Sequence, residues 1–312
     1  MSAVAARGQI SIAQERRSSS LADQPRDYWR SAFRHICADK LSSRAGAVFL
    51  ILSLCCLAAP VISVLTGYGP TAMDLTRPNA PPSLAHPFGG DEYGRDYFVR
   101  TLWAGRVSLA MGIAVATVAM TIGVAVGLIS GYFGGWVDDL SNAMINALIA
   151  LPGFFVLVLA ATLVPPSLFT LALIIGGLGW MNVARQVRAV VLRTREHDYV
   201  LAARVLGASN TRIMLKHILP NVTSIIAVVA GFEVAAGIMA ESGISFIGLG
   251  IQPPDASWGN MLTNSLRYVY TSPWLVVFPG AFIFTAILCI FLLADGVRDA
   301  LDPRDPRRVS HR

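Results

Sequence analysis

The chain has 312 residues, of which 54% are hydrophobic and only 14% are charged. Soluble domains usually carry about a quarter charged residues, so this composition excludes an ordinary water-soluble enzyme and a disordered chain. The mean hydropathy of +0.57 favours an integral membrane protein. The four cysteines have neither a disulfide-like nor a metal-like spacing, and we expect no metal site and no cofactor.

Six apolar segments are long enough to be considered as membrane spans, because a hydrocarbon core about 30 Å thick requires about 20 helical residues. The segments are residues 45–66, 107–130, 140–164, 168–183, 222–244 and 274–294. The fourth is rich in glycine and continues as a helical pattern to residue 192. The sequence therefore predicts an all-α integral membrane protein with six transmembrane helices.

The basic residues indicate the orientation of these helices. Twenty of the 25 Lys and Arg residues lie in 1–44, 185–216 and 298–312. Cytoplasmic loops are enriched in Lys and Arg, so both termini are expected in the cytoplasm, and the net charge of +6 is mostly a topology signal with no nucleic-acid partner implied. The expected division is a cytoplasmic tail (1–43), a first transmembrane helix (44–66), an external loop with an interfacial helix (67–104), a domain of five transmembrane helices (105–295) and a cytoplasmic tail (296–312).

Two local patterns concern packing. Residues 95–106 have a helical apolar side, which predicts a helix at the outer membrane surface, and Asp96 and Arg100 are spaced for an ion pair. Small residues recur at every fourth position in the second span, which predicts close approach of another helix. They are Ala119, Gly123, Gly127 and Gly131.

Polar side chains inside apolar segments need a partner or water. Asp138, Asn142 and Asn146 share one face of the third span, and Glu233 and Glu241 lie in the fifth. At 13 residues past Pro220, Glu233 is expected about 20 Å into the bilayer region. Each of these residues is a candidate either to line a solute path or to hydrogen-bond a neighbouring helix.

The cytoplasmic stretch 196–221 carries the clearest local signal. It predicts a short helix over residues 200–206, a break at Gly207, a second helix from about Ser209, and Pro220 in the first turn of the next span. A glycine lets the chain turn sharply between two short helices. The stretch is therefore predicted to form a compact knob in the cytoplasm.

This stretch resembles the cytoplasmic motif of permease subunits of binding-protein-dependent ABC importers. The motif runs Glu-Ala-Ala, three residues, Gly, nine residues, Ile, two residues, Leu-Pro. Here Ala202-Ala203, Gly207 and Leu219-Pro220 match, Leu201 stands in place of the Glu, and the isoleucine is displaced by one position to Ile218. Residues 86–106, 241–261 and 295–304 look like the C-type subunit of dipeptide, oligopeptide and nickel permeases.

The resemblance implies the type I ABC importer transmembrane fold and an inner-membrane, multi-pass location. It also implies a heterodimer with a related B-type permease, two ATP-binding subunits in the cytoplasm and an external solute-binding protein. The loop 194–220 would couple the chain to the ATPase. The residues implied in coupling are Tyr199, Leu201, Ala202, Ala203, Arg204, Gly207, Ala208, Arg212, His217 and Pro220.

The chain itself shows no signature of an enzyme. Its two lysines, Lys40 and Lys216, do not follow a phosphate-binding GxxxxGK[ST] loop, and no catalytic cluster emerges from the sequence. ATP hydrolysis is therefore expected in the partner subunits. Peptide is the first expectation for the solute, with nickel or another small solute as the alternative, and a proton-coupled secondary transporter using Glu233 is the competing class.

Overall fold

The computed structural model describes residue 34 and residues 36–301, apart from the side chain of residue 264. Most of the predicted tail 1–43 and residues 302–312 of the predicted tail 296–312 lie outside the described residues. Within the described part, regular structure is helical, and one isolated antiparallel bridge joins Gly90 to Asp96. Five helices are long and apolar enough to cross a membrane, and a bent pair of helices provides a sixth candidate span. The predicted all-α, six-span architecture is confirmed.

The first predicted span consists of two helices, α1 (Lys40–Leu57) and α2 (Ala59–Thr66). The Asp39 carboxylate begins α1 by accepting a hydrogen bond from the Ser42 backbone N–H at 2.8 Å. The division falls at Ala58, just before Pro60, which cannot donate a backbone hydrogen bond. Helix α2 ends at Gly67, where φ is +75°.

The second span is longer than predicted. Helix α3 (Tyr97–Phe133) has 37 residues without a break, and Asp96 caps its first turn by accepting from the Val99 N–H at 2.8 Å. The predicted surface helix is therefore not a separate element but the outer end of this span. The reason is that the segment joining the two predicted helices contains no proline and no residue with a helix-breaking conformation.

The predicted ion pair between Asp96 and Arg100 is wrong. The Asp96 carboxylate lies 2.7 Å from His86 Nδ1. Arg100 lies 3.9 Å from the Asp91 carboxylate and donates to the Pro70 carbonyl at 3.1 Å. Capping the helix turns the Asp96 carboxylate towards the N-terminus, where the external loop supplies its partner.

The third predicted span, residues 140–164, is not one straight helix. It comprises α4 (Gly135–Ile149) and α5 (Gly153–Leu163), which meet at an angle of 80°. Pro152 precedes α5, and its ring restricts the preceding residue to extended backbone. Apolar length alone does not reveal such a bend.

The close approach predicted by the small residues of α3 is confirmed, and its partner is α6 (Leu168–Thr194). A Cβ at Gly127 would lie 2.6 Å from the Ala184 carbonyl oxygen. A Cβ at Gly123 would lie 2.7 Å from the Trp180 carbonyl oxygen. The glycine row thus brings two backbones together, as is common where membrane helices pack tightly.

Substituting Gly127 by valine should destabilise the chain by roughly 1–3 kcal/mol, since the new side chain would collide with the α6 backbone. The measurement is thermal unfolding of the purified protein in detergent. Gly177→Ala is the matched control in α6, because a Cβ there meets nothing within 4 Å. Equal melting temperatures for the two variants would contradict the predicted packing.

The remaining described chain forms the predicted knob, two more spans and the segment that joins these two spans. Its elements are α7 (Asp198–Val205), α8 (Asn210–Ile213), a π-helical turn (Met214–Ile218), α9 (Leu219–Phe246), α10 (Trp258–Ser265), a 3-10 turn (Leu266–Tyr268) and α11 (Trp274–Leu301). Helix α9 lies at the centre, where it contacts α3, α6 and α11. Outside, the buried Trp258 packs with residues of α3 and α11 in one apolar cluster.

Candidate coupling and translocation sites

The knob, residues 198–218, has the predicted helix–turn–helix form. Gly207 adopts φ +79° between α7 and α8, a conformation that favours glycine. The Ser209 hydroxyl begins α8 by accepting from the Arg212 N–H at 3.4 Å. Pro220 lies in the first turn of α9, directly after the π-helical turn Met214–Ile218.

The inner side of the knob is part of the core of the transmembrane domain. Val200, Ala203, Ile213 and Ile218 are buried in one apolar cluster. The same cluster contains residues of α3 and α6, namely Leu128, Tyr132, Val183, Val187 and Val191. The knob and the adjoining ends of α3 and α6 therefore form one packed core.

The outer side of the knob carries exposed apolar side chains. Val205 is 87% exposed and Leu206 is 86% exposed, and both lie at the turn next to Gly207. Tyr199 and Leu201 on α7 are also exposed. Partial burial raises the pKa of the Tyr199 phenol, so it remains a neutral hydrogen-bond donor at physiological pH. An exposed apolar patch is typical of a protein-interaction site.

Polar contacts fix the base of the knob to the end of α3. The Tyr132 hydroxyl donates to Asn210 Oδ1 at 2.8 Å, and the Arg204 guanidinium lies 5.7 Å from the Tyr132 ring centre. Arg195 donates to the Gly131 carbonyl at 3.0 Å. Together with Phe133 and Glu196, these side chains line a cavity of about 380 Å³.

The ten predicted coupling residues do not all face outward. Seven are exposed on the described chain: Tyr199, Leu201, Ala202, Arg204, Gly207, Arg212 and Pro220. Ala208 and His217 are half-buried, and Ala203 is buried beneath α7. The Ala203 methyl group packs the knob against its own spans, and the role of this residue in coupling remains a prediction.

The polar face of α4 pairs with α6. Both Nε and a terminal nitrogen of Arg188 bond to the Asp138 carboxylate. Asn142 Nδ2 donates to Asp138 Oδ1 at 2.9 Å, and Arg185 donates to Asn146 Oδ1 at 2.7 Å. Of the two interpretations open for these residues, the geometry favours hydrogen bonding to a neighbouring helix for Asp138 and Asn146, whereas Asn142 bonds within α4.

Glu241 lies entirely inside the chain. Its carboxylate accepts from the Ser245 hydroxyl at 2.6 Å and from the Ser108 hydroxyl at 3.3 Å. Ser108 Oγ in turn accepts from the Trp258 backbone N–H at 3.1 Å. The network joins α3, α9 and α10, so Glu241 acts as a structural residue and not as a lining residue.

Glu233 differs from the other acidic candidates. Glu233 is half-buried on α9. Its Oε2 atom lies against Gly179 of α6, because a Cβ added at Gly179 would be only 2.9 Å from that oxygen. Within the part of the chain that the structure describes, no hydrogen bond or ion pair engages its carboxylate. Glu233 is thus the acidic candidate that is available for an external partner or a solute.

The matched family model is the binding-protein-dependent transport system inner membrane component, which covers residues 123–304. The match extends through the knob and all spans from α4 onward. The chain belongs to this family. It is a permease subunit with a type I ABC importer fold.

Similar permeases cover nearly the whole chain. The oligopeptide transport system permease protein OppC of Bacillus subtilis strain 168 is 36% identical over 88% of this chain and 90% of its own length. The dipeptide transport system permease protein DppC of the same strain is 37% identical over 93% of this chain and 90% of its own length. OppC of Escherichia coli K12 is 36% identical over 92% of this chain and 95% of its own length.

Sequence reasoning missed the partners of the polar residues in the permease. Arg185 and Arg188 count in the sequence only as positive-inside charges. Their spacing of three places both on one face of α6, just as the spacing of four places the polar residues of α4 on one face. Ser108 and Ser245 gave no signal, because serine is common in membrane helices and their partner is distant in sequence.

The Asp138–Arg188 pair should be energetically coupled. We expect a double-mutant cycle with Asp138→Asn and Arg188→Gln to give a coupling free energy of roughly 1–3 kcal/mol, because the pair is bidentate and partly buried. The measurement is thermal unfolding in detergent. The control cycle uses Arg195 and Glu196, whose carboxylate side chain is 66% exposed, and should give less than about 1 kcal/mol. A coupling for Asp138–Arg188 no larger than that of the control would refute the prediction.

Proposed function

We propose that the permease forms half of the translocation path of an ABC importer for di- and oligopeptides. The observation that carries this proposal is the cytoplasmic knob, which has an apolar exposed tip and an inner side packed into the spans. The peptide cargo is supported by the oligopeptide and dipeptide permeases to which the chain is similar. Nickel or another small solute is the alternative cargo.

The knob acts as a lever in this proposal. ATP binding draws two cytoplasmic ATPase subunits together, and each docked knob moves with its ATPase. Since Val200 and Ile213 share a core with α3 and α6, the spans tilt as rigid bodies and open the path outward. ATP hydrolysis returns the assembly to its starting arrangement. ATP is thus the ligand that shifts the equilibrium between two arrangements of the spans towards the outward-open one.

The assembly and its orientation follow from the same proposal. The second half of the path comes from a related B-type permease, and an external binding protein delivers the solute. The permease lies in the cell inner membrane with both termini and loop 194–220 in the cytoplasm, as the distribution of basic residues favours. Residues 44–66 form the first span, and 67–104 lie outside.

Leu206→Asp tests the proposal. We expect this variant to lose recovery of the ATPase subunits when the tagged permease is purified from mildly solubilised membranes, because a charge replaces an apolar contact at the tip. ATP-driven peptide uptake should fall at least tenfold. Leu84→Asp is the matched control, since Leu84 is fully exposed in the external loop.

The control should keep its ATPase partners. Equal recovery of ATPases with both variants would reject the lever interpretation. Uptake that ignores ATP and follows a proton gradient would replace the importer by a secondary transporter. ATP-driven uptake of nickel in place of peptides would keep the importer and change its cargo.

A further inference from the structure

The unpartnered carboxylate of Glu233 is the starting point. The other two acidic residues predicted to line a path are satisfied within the chain, Asp138 by Arg188 and Glu241 by serine hydroxyls. Glu233 has no such partner among the described residues. A carboxylate at membrane depth requires water or a cation, and in membrane proteins such residues mark solute paths.

The helix face opposite Glu233 is polar as well. Gly179, Asn182 and Gln186 follow one another at intervals of three and four on α6, so they share a face, and the last two are exposed on the described chain. Amide side chains are unfavourable against lipid tails. This face of α6 therefore adjoins an aqueous path or another subunit, and Glu233 lies beside it.

Glycine at position 179 creates the space that the carboxylate occupies. A Cβ at this position would lie 2.9 Å from Glu233 Oε2, whereas a Cβ at neighbouring Gly177 would meet nothing within 4 Å. The absence of a side chain at Gly179 thus lets the carboxylate of α9 lie against the α6 backbone. Its depth, 13 residues past Pro220, corresponds to about 20 Å along the helix.

We infer that Glu233 is a cation-selective position in the translocation path and binds ammonium groups of the solute, which gives the importer a preference for positively charged peptides. This inference rests on the proposed function and specifies its cargo. Fixed charges that line a narrow path select by sign, because the low-dielectric walls strengthen their field. The neutral amides of Asn182 and Gln186 add hydrogen-bonding groups without adding a compensating positive charge.

The test compares ATP-driven uptake of Ala-Lys-Ala and Ala-Glu-Ala into proteoliposomes that contain the complete importer and saturating binding protein. The quantity measured is the ratio of the two maximal rates. Because each variant uses the same binding protein, the binding protein's own preference cancels between variants. Glu233→Gln should lower the ratio of lysine to glutamate peptide roughly five- to tenfold relative to the wild type.

Three further variants make the result specific. Glu233→Asp keeps the charge and should retain most of the wild-type ratio. Gly179→Ala displaces the carboxylate without removing it and should lower the ratio by a smaller factor, which also supplies a readout if Glu233→Gln assembles poorly. Glu196→Gln removes an exposed cytoplasmic carboxylate and should leave the ratio unchanged.

Two results would overturn the inference while leaving the proposed function intact. An unchanged ratio in Glu233→Gln and Gly179→Ala would show that the carboxylate does not select the solute. Equal loss of both peptides in Glu233→Gln would assign Glu233 to an ion pair with the partner permease. Failure of the wild-type importer to take up either peptide would instead reject peptide as the cargo, and the inference with it.

Discussion

Replacing Gly207 with valine should abolish ATP-driven uptake while the permease remains in the membrane. Gly207 has φ +79°, and a residue with a Cβ is disfavoured there by roughly 1–2 kcal/mol, more when it is β-branched. No atom lies within 4 Å of the Cβ position, so the effect comes from the backbone and not from a clash. The changed turn would redirect Val205 and Leu206 away from the ATPase. Uptake by proteoliposomes and recovery of the ATPase subunits are the measurements.

Two controls separate coupling from general strain. Gly207→Asn should retain most of the uptake, since asparagine tolerates left-handed backbone. Gly67→Val places the same strain at φ +75°, also in open space, at the end of α2 and far from the knob. Full uptake by Gly207→Val, or equal loss by Gly67→Val, would show that the turn does not set the coupling geometry.

Replacing Glu241 with alanine should lower the free energy of unfolding by roughly 3 kcal/mol. The change leaves a cavity and removes the acceptor of the Ser108 and Ser245 hydroxyls, which are buried. The loss should be visible as a lower melting temperature in detergent. It should also loosen the external segment, because Ser108 accepts from the Trp258 N–H.

The contrast with Glu233 makes this prediction specific. Glu233→Ala should leave the melting temperature nearly unchanged, since no described side chain depends on that carboxylate. Glu241→Gln should have an intermediate effect, because the amide oxygen can still accept one hydroxyl. A larger destabilisation from Glu233→Ala than from Glu241→Ala would reverse the roles assigned to the two residues.

The knob could be predicted because its determinants are local. Gly207, Ser209 and Pro220 act through backbone conformation and hydrogen bonds to residues within four positions. The six-span architecture was predictable for a similar reason, since apolar length and the distribution of Lys and Arg act on each segment separately. Membership of the family confirms the membrane class and the permease fold of the chain.

The two corrections in the spans have a different origin. Apolar composition predicts that residues 140–164 prefer the membrane, but the direction of each half depends on backbone geometry around Pro152 and on contacts with α3 and α6. The N-terminal end of α3 also has a distant partner in the segment between α9 and α11. Trp258 Nε1 donates there to the Thr101 carbonyl at 3.0 Å, across 157 positions of sequence.

The membrane class, the number of spans, the position of the knob and the polar residues that need partners follow from composition and local pattern. Only the tertiary structure decided which partner each residue has. It assigned Asp138 to Arg188, Glu241 to serines of two helices, and Ala203 to the core. Helical periodicity specifies the face on which a side chain lies, whereas the element opposite that face depends on how distant helices pack. For Glu233 the same packing leaves the carboxylate beside a polar face of α6, without a hydrogen bond or ion pair among the described residues.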